Sequence, residues 1–497
     1  ERSFYRDSTP PAISSPSMKR ADESAEEITN DGWYNSSSIA LSATASDSES
    51  GVSSVTYKVK NGSTVGSETA LTLSGENANG KVVLSEGTNE ITITATNNVA
   101  LSAAENLTVH IDTTKPVFNG TKLYKTSDST DKTAVSVSNE DVTIAGTITE
   151  ANLAATPLSV TATKDGSEAD ISSSITIAQP ASNGSAWTVA VPATVGDGSW
   201  VFTVTAIDLA GNTSSTTATV RIDTTKPLLS EPVVETSSTT TGSGENAEIW
   251  YKTTELRFSG STKDDGSGVS SVYYQTSEDG TNWSSQTAFD GTTSWDKTIS
   301  GFKSGTTRVK ITALDKAGNE AEAVIAGPFN IDTKAPELTA GSVKVGGKEV
   351  SESSPYYSNG KADAEITFSV TDSAAGSGVE KVYVVPYESV SDETAVDANE
   401  AALNDGTASI TITKEKFTKS GTMYARIYDY AGNYADVNLF ALTYDATDPK
   451  IQSSSLEDSS DYTAYKPNQS VDVYYVNNTS GNFTLSGRSE ERRVGKE

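Results

Sequence analysis

The stretch Trp200-Val-Phe-Thr-Val-Thr-Ala-Ile-Asp-Leu-Ala-Gly-Asn-Thr-Ser-Ser-Thr-Thr-Ala-Thr-Val-Arg-Ile-Asp-Thr-Thr-Lys-Pro227 holds most of what decides the fold. Phe202, Val204 and Ala206 alternate with Thr203 and Thr205, and Ala218, Val220 and Ile222 alternate with polar residues in the same way. A period of two with β-branched side chains puts one face of a strand on a core and the other in water. Between the two runs lies Asp208-Leu-Ala-Gly-Asn212, so Gly-Asn reads as the tip of a hairpin. The second strand runs without slack into Asp223-Thr-Thr-Lys-Pro227, whose proline fixes φ and removes a donor.

The pattern is not unique to that stretch. Asp7-Ser-Thr-Pro-Pro11, Asp112-Thr-Thr-Lys-Pro116, Asp332-Thr-Lys-Ala-Pro336 and Asp445-Ala-Thr-Asp-Pro449 repeat the boundary, and successive boundary aspartates are 105, 111, 109 and 113 residues apart. A unit of that length built from short alternating strands fits a seven-strand antiparallel sandwich, not a solenoid repeat. The hairpin tip recurs as Asp315-Lys-Ala-Gly-Asn319 and Asp429-Tyr-Ala-Gly-Asn433, with a degenerate copy at Asn97-Asn-Val-Ala-Leu101. In sandwich lettering this is the F–G turn. An earlier landmark, Asp47-Ser-Glu-Ser-Gly-Val52, returns as Asp264-Asp-Gly-Ser-Gly-Val269 and, lengthened, as Asp372 to Val379, and reads as the B–C turn. Trp33-Tyr34, Trp250-Tyr251 and Tyr356-Tyr357 precede it at near-constant spacing and are expected to cover the core at the start of strand B. One short helix is expected, over Val396 to Leu403.

The expected fold class is therefore all-β, tandem Ig-like antiparallel sandwiches placed end to end. Residues 1–6 close a preceding unit, complete units span 7–111, 112–222, 223–331 and 332–444, and a truncated fifth spans 445–487. Residues 488–497 carry seven charges in ten positions and are foreign in composition, so they are set apart as a non-native tail. The chain opens on Glu1 and reads as an excerpt from a longer protein.

Composition narrows the function. With 37 Lys+Arg against 66 Asp+Glu the 497-residue chain carries a formal charge of −29, which repels phosphate backbones and anionic lipid. It has no cysteine, hence neither disulfide nor thiolate chemistry, and no apolar run long enough to span a bilayer. The single histidine, His110, sits in Leu107-Thr-Val-His-Ile111, where Leu107, Val109 and Ile111 face inward and His110 is expected to face solvent. No nucleophile and base can be assigned around it, so no enzyme is expected.

The Asp-x-Thr-x-Pro boundary, the Ser-Gly-Val turn and the Asp-x-Ala-Gly-Asn turn together resemble the bacterial Ig-like repeats found in tandem in large secreted and cell-surface proteins, including giant adhesins. The resemblance runs from residue 7 to about residue 487. Thr149-Glu-Ala-Asn-Leu153 departs from it in the second unit, where the Ser-Gly-Val turn should stand.

In such a sandwich the boundary aspartate, the B–C turn and the F–G turn return to one end, the junction with the preceding unit. The converging sets are Asp112, Glu150 and Asp208; Asp223, Asp264 or Asp265, and Asp315; and Asp332, Asp372 and Asp429, with a weaker set of Asp7, Asp47 and Asn97. Two readings stand side by side. Three carboxylates in one place repel unless a cation or water screens them, and Ca²⁺, with six to eight oxygen ligands and tolerant geometry, suits them. The resemblance implies the same ion at such junctions. Equally, Asp before Gly or Asn is an ordinary turn residue that bonds its own backbone.

The function expected from repetition without any singular residue is a stalk: an extracellular or bacterial-surface, adhesin-like segment, monomeric, forming a rod on the order of 150–200 Å. Host-cell, glycan or matrix ligands would be bound by other parts of the full protein, and nucleic acid and membrane spans are not expected. The rival reading is a spacer or carbohydrate-binding accessory region of a secreted glycan-degrading enzyme, with Trp187, Trp283 or Trp295 stacking on sugar, although Trp187 and Trp295 precede alternating residues and fit core positions better.

Overall fold

The structure, a computed structural model, describes residues 2–21, 26–236, 239–241, 248–387, 399–447, 450–458 and 483–490. Strand pairing closes on itself four times, within residues 12–111, 117–222, 228–331 and 337–444. The second unit shows the plan. One sheet sets strands A (Val117–Lys125), B (Val142–Thr149), E (Ala186–Val191) and D (Thr176–Ala178) side by side. The other sets the short Val137–Ser138 beside G (Thr213–Ile222), F (Gly198–Asp208), C (Leu153–Lys164) and Ser167–Ala169. Strands F and G pair antiparallel in continuous register from Gly198↔Ile222 to Ile207↔Thr213, so the hairpin lies where the alternation puts it.

The inward residues of each unit make one closed core. In the second, Trp200, Phe202, Val204 and Ala206 of strand F face Val142, Ile144 and Ile148 of strand B and Val189 and Val191 of strand E. Side chains of this size contribute about 1.5–3 kcal/mol each when fully buried. Strand E carries Trp187 and, in the third unit, Trp295, both 1% exposed. Each lies across from a glycine of strand B, Gly146↔Trp187 and Gly260↔Trp295. A Cβ on Gly146 would stand 2.9 Å from the Trp187 ring, so the glycine makes room for the indole. These tryptophans are core, and no sugar can stack on them. Trp283 is half-buried, with the Lys310 Nζ 4.8 Å from its ring centroid.

Three expectations are corrected. Trp33-Tyr34, Trp250-Tyr251 and Tyr356-Tyr357 do not open strand B; they belong to short strands, Gly32–Tyr34, Glu248–Tyr251 and Tyr356–Ser358, paired parallel to strand G of their unit. Tyr251 is buried, but Tyr357 is 62% exposed. His110 does not stand free in solvent: Trp33 stacks on it at 4.7 Å, its Nε2 lies 2.9 Å from Asp31 and its Nδ1 2.9 Å from the Thr88 hydroxyl. Thr88 is simply its cross-strand neighbour on strand F. The helix over Val396 to Leu403 is not formed, because Glu400–Asn404 is a strand pairing with both Val379–Pro386 and Thr407–Ile412, which joins the two sheets of the fourth unit. Residues 396–398 lie outside the described residues.

Of the fifth unit the described part is an antiparallel pair, Lys450–Asp458 with Phe483–Glu490. This pairing includes Arg488, Ser489 and Glu490, so the strand runs three residues into the segment set apart as a tail. Among the described residues no helix is long and apolar enough to cross a membrane, which says nothing about β-barrels.

Candidate metal centres at the unit junctions

Each of the boundary aspartates Asp112, Asp223 and Asp332 is shared between two units. Its backbone N–H donates to the short strand of the unit before it: Asp112 to the Tyr34 carbonyl at 3.0 Å, and Asp223 to Ser138, Asp332 to Tyr251 and Asp445 to Ser358 at 2.9 Å. Its carbonyl accepts from the F–G asparagine of the unit after it, Asn212 to Asp112 at 2.8 Å, Asn319 to Asp223 at 2.9 Å and Asn433 to Asp332 at 3.0 Å. No separate linker intervenes. The short parallel strand is what the recurring aromatic pairs were marking.

The side chains of the same aspartates enter the pole of the following unit. Carboxylate oxygens of Asp112, Glu150 and Asp208, of Asp223, Asp264 and Asp315, and of Asp332, Asp372 and Asp429 lie within 4.8 Å of one another in each set. Asp112, Glu150, Asp208, Asp223, Asp315, Asp332 and Asp429 are buried and Asp264 and Asp372 partly so. Asp265 does not join its set. It points outward and pairs with Lys263 at 2.7 Å, 80% exposed, because adjacent residues of one turn cannot both face the pole.

The F–G turn explains its own sequence. Asp208 Oδ1 accepts the Asn212 N–H at 2.8 Å and Oδ2 accepts the Asn212 amide at 2.7 Å. Asp315 with Asn319 and Asp429 with Asn433 repeat this arrangement. Gly211, Gly318 and Gly432 take φ of 87°, 102° and 86°, a region that costs other L residues energy. Turn chemistry thus uses part of each carboxylate's accepting capacity.

Nearby like charge and burial shape the electrostatics. Burial pushes the Glu150 carboxyl above the usual range, the Asn152 N–H works against this, and the charges of Asp112 and Asp208 push the same way. Asp264 is raised by burial and by Asp223 and Asp315, against the Gly268 N–H. In the fourth unit burial raises Asp372, and burial together with Asp332 and Asp372 pushes Asp429 up to about 6 despite two bonds from Asn433. Asp264 Oδ2 is buried without a hydrogen-bond partner.

The first unit is built otherwise. Asn97 stands where the others have the F–G aspartate, and its amide donates to Asp7 Oδ2 at 2.8 Å, Asp47 Oδ2 at 3.2 Å and the Thr9 carbonyl at 3.2 Å. Its Oδ1 accepts the Val99 and Leu101 N–H groups. Asp7 is held below the usual carboxylate range by the Ser50 hydroxyl above all. Burial pushes Asp47 up, but the Asn97 amide and three turn N–H groups outweigh it and leave the group lowered.

Sequence profiles of the bacterial Ig-like domain match residues 121–224, 230–333 and 335–446. The chain belongs to the bacterial Ig-like domains. Among solved structures, these Ig-like units are similar to a tetra-tandem repeat in the extending region of a large adhesion protein, at 17% identity and a TM-score of 0.27 over 84% of this chain and 98% of that one. They are also similar to the structure of a 1.5-MDa bacterial ice-binding adhesin described for host cell surface retention, at 15% identity and a TM-score of 0.26 over 66% and 100%. The N-terminal eight Ig domains of Down Syndrome Cell Adhesion Molecule match at 11% identity and a TM-score of 0.24 over 85% and 74%. No curated protein matches the sequence.

Residues that the motifs did not reveal also act at the junctions. Glu86, Asp197 and Ser304 bond the threonine that follows each boundary aspartate. Their only common sequence mark is the glycine after each, Gly87, Gly198 and Gly305.

Proposed function

We propose that this segment is a non-catalytic stalk of a bacterial surface or secreted protein of adhesin type, stiffened by calcium at its second, third and fourth poles. Ligands on a host cell, glycan or matrix would be engaged by other parts of the protein. The observation that carries the reading is the boundary aspartate, one residue whose N–H belongs to one unit and whose carbonyl and carboxylate belong to the next. A joint without spare residues transmits force and orientation from unit to unit.

The residues suit calcium. Two oxygens on opposite sides of one Ca²⁺, each about 2.3–2.6 Å from it, stand roughly 5 Å apart, which the carboxylate spacing allows. All donors are hard oxygens, and the unpartnered Asp264 Oδ2 is an acceptor that a cation would satisfy. Asp112, Glu150 and Asp208, Asp223, Asp264 and Asp315, and Asp332, Asp372 and Asp429 would hold the ions. A bound Ca²⁺ would cancel the mutual repulsion of each set and tie the boundary residue to both turns.

Small-angle scattering of the full chain tests this. An extended particle on the order of 150–200 Å, narrowing its range of conformations between chelator and millimolar calcium, is the expected result. Scattering that shows collapsed or freely jointed units with calcium present would overturn it.

A further inference from the structure

At the far end of each unit from its pole, the residue before strand F reaches the outgoing chain. Glu86 accepts the Thr113 N–H at 3.2 Å on both carboxylate oxygens and also takes the Thr113 hydroxyl. Asp197 accepts the Thr224 N–H and hydroxyl at 2.8 Å on Oδ1, and the Thr225 hydroxyl at 2.7 Å on Oδ2. At the third junction the position is Ser304, whose hydroxyl meets the Thr333 N–H at 3.3 Å and the Thr333 hydroxyl at 3.4 Å. At the fourth, Ser420 accepts from Tyr444, ahead of the boundary aspartate and not behind it.

These contacts differ in kind. A carboxylate accepting from N–H and hydroxyl makes charge-assisted bonds, roughly twice as strong as neutral ones. Ser304 at 3.3–3.4 Å makes neutral bonds near the limit of useful length. Burial pushes the Asp197 carboxyl up, and the Thr225 and Thr224 bonds together with the Lys164 charge outweigh it, so the acceptor is ionised at neutral pH. None of these residues belongs to a pole, so the contact does not require a cation.

We propose that the residue preceding the glycine of strand F is a latch on the outgoing chain, a carboxylate at the first two junctions and a hydroxyl at the third, so that among these three junctions bending of the stalk concentrates between the third and fourth units. The inference rests on the stalk reading and refines it: units one to three form a stiff arm, and the joint before unit four is its hinge.

The chain has no cysteine, so pairs of cysteines at exposed strand positions flanking each junction can carry nitroxide labels on the full chain without background. Pulsed electron–electron resonance then gives a distance distribution for each joint, measured in chelator and in millimolar calcium. Expected are narrow distributions at the first and second junctions and a broader one at the third. Asp197→Ala should broaden the second junction to the width of the third and leave the first unchanged, and Ser304→Asp should narrow the third. Thr224→Val with Thr225→Val removes the same bonds from the linker side and should reproduce Asp197→Ala should that variant fold poorly. Equal widths at all three wild-type junctions, or a second junction indifferent to both changes, overturns the latch. Broad distributions at every junction in calcium overturn the stalk reading with it, whereas narrow distributions insensitive to Asp197 overturn the latch alone.

Discussion

The first pole and the other three solve one electrostatic problem in opposite ways. In the first unit Asn97 supplies an amide between Asp7 and Asp47, and both carboxyls are held below their ordinary range. In the second to fourth units a carboxylate occupies that place, and Glu150, Asp264, Asp372 and Asp429 are raised. One atom group decides the difference. A pole closed by an amide has its two carboxylates bridged by the protein itself, and a pole closed by a third carboxylate is the one that a cation is proposed to complete.

The largest effect should come from exchanging the two solutions. Asn97→Asp removes a donor serving three acceptors and adds a third negative charge, and should cost the first unit about 2 kcal/mol in chelator, a drop of roughly 10 °C in its melting temperature. Millimolar calcium should restore most of it. A melt unchanged in chelator would show that the amide is not what balances the first pole.

The poles should also part company in pH. Asp429, with its folded pKa at about 6 and an ordinary value of about 3.9, keeps its proton in the folded chain over a range where the unfolded chain has lost it. Without metal the fourth unit should therefore gain stability as pH falls from 7 toward 4. Asp7 and Asp47 are lowered, so their contribution is present above the ordinary carboxylate range and is lost below it. Scanning calorimetry in chelator at pH 7, 5 and 3.5 checks both directions, and Asp429→Asn should remove most of the gain of the fourth unit, leaving the part due to Asp372.

A smaller difference lies in the backbone. Ala100 occupies the place of Gly211, Gly318 and Gly432 in the F–G turn and takes φ of 66°. Ala100→Gly should stabilise the first unit by about 0.5–1 kcal/mol, seen as a higher denaturant midpoint. The smallest effect belongs to Asp265, whose exposed pair with Lys263 places Asp265→Ala within about 0.5 kcal/mol of the parent, with the calcium response of the third unit unchanged.

Legibility followed repetition. The boundary, B–C and F–G motifs recur at fixed spacing, and topology then brings Asp223, Asp264 and Asp315 together although they lie 41 and 51 residues apart along the chain. Spacing could not separate Asp264 from Asp265, since the choice depends on the direction of one turn. The aromatic pairs were visible as a regularity, but their parallel pairing to strand G, as in Trp33↔His110, is a contact across most of a unit that local pattern does not encode. Val396 to Leu403 has a helix-forming composition, and sheet pairing of Glu400–Asn404 overrides it. Glu86, Asp197 and Ser304 share a place and no residue type, so no motif exposes them.

Scanning calorimetry of the full chain, in chelator and at calcium near ten times its dissociation constant, asks the central question directly. Each occupied pole should gain about 1.4 kcal/mol, so the transitions of the second, third and fourth units should rise with calcium while that of the first stays in place. Four transitions that ignore calcium, or a first unit that responds as the others do, would contradict the account.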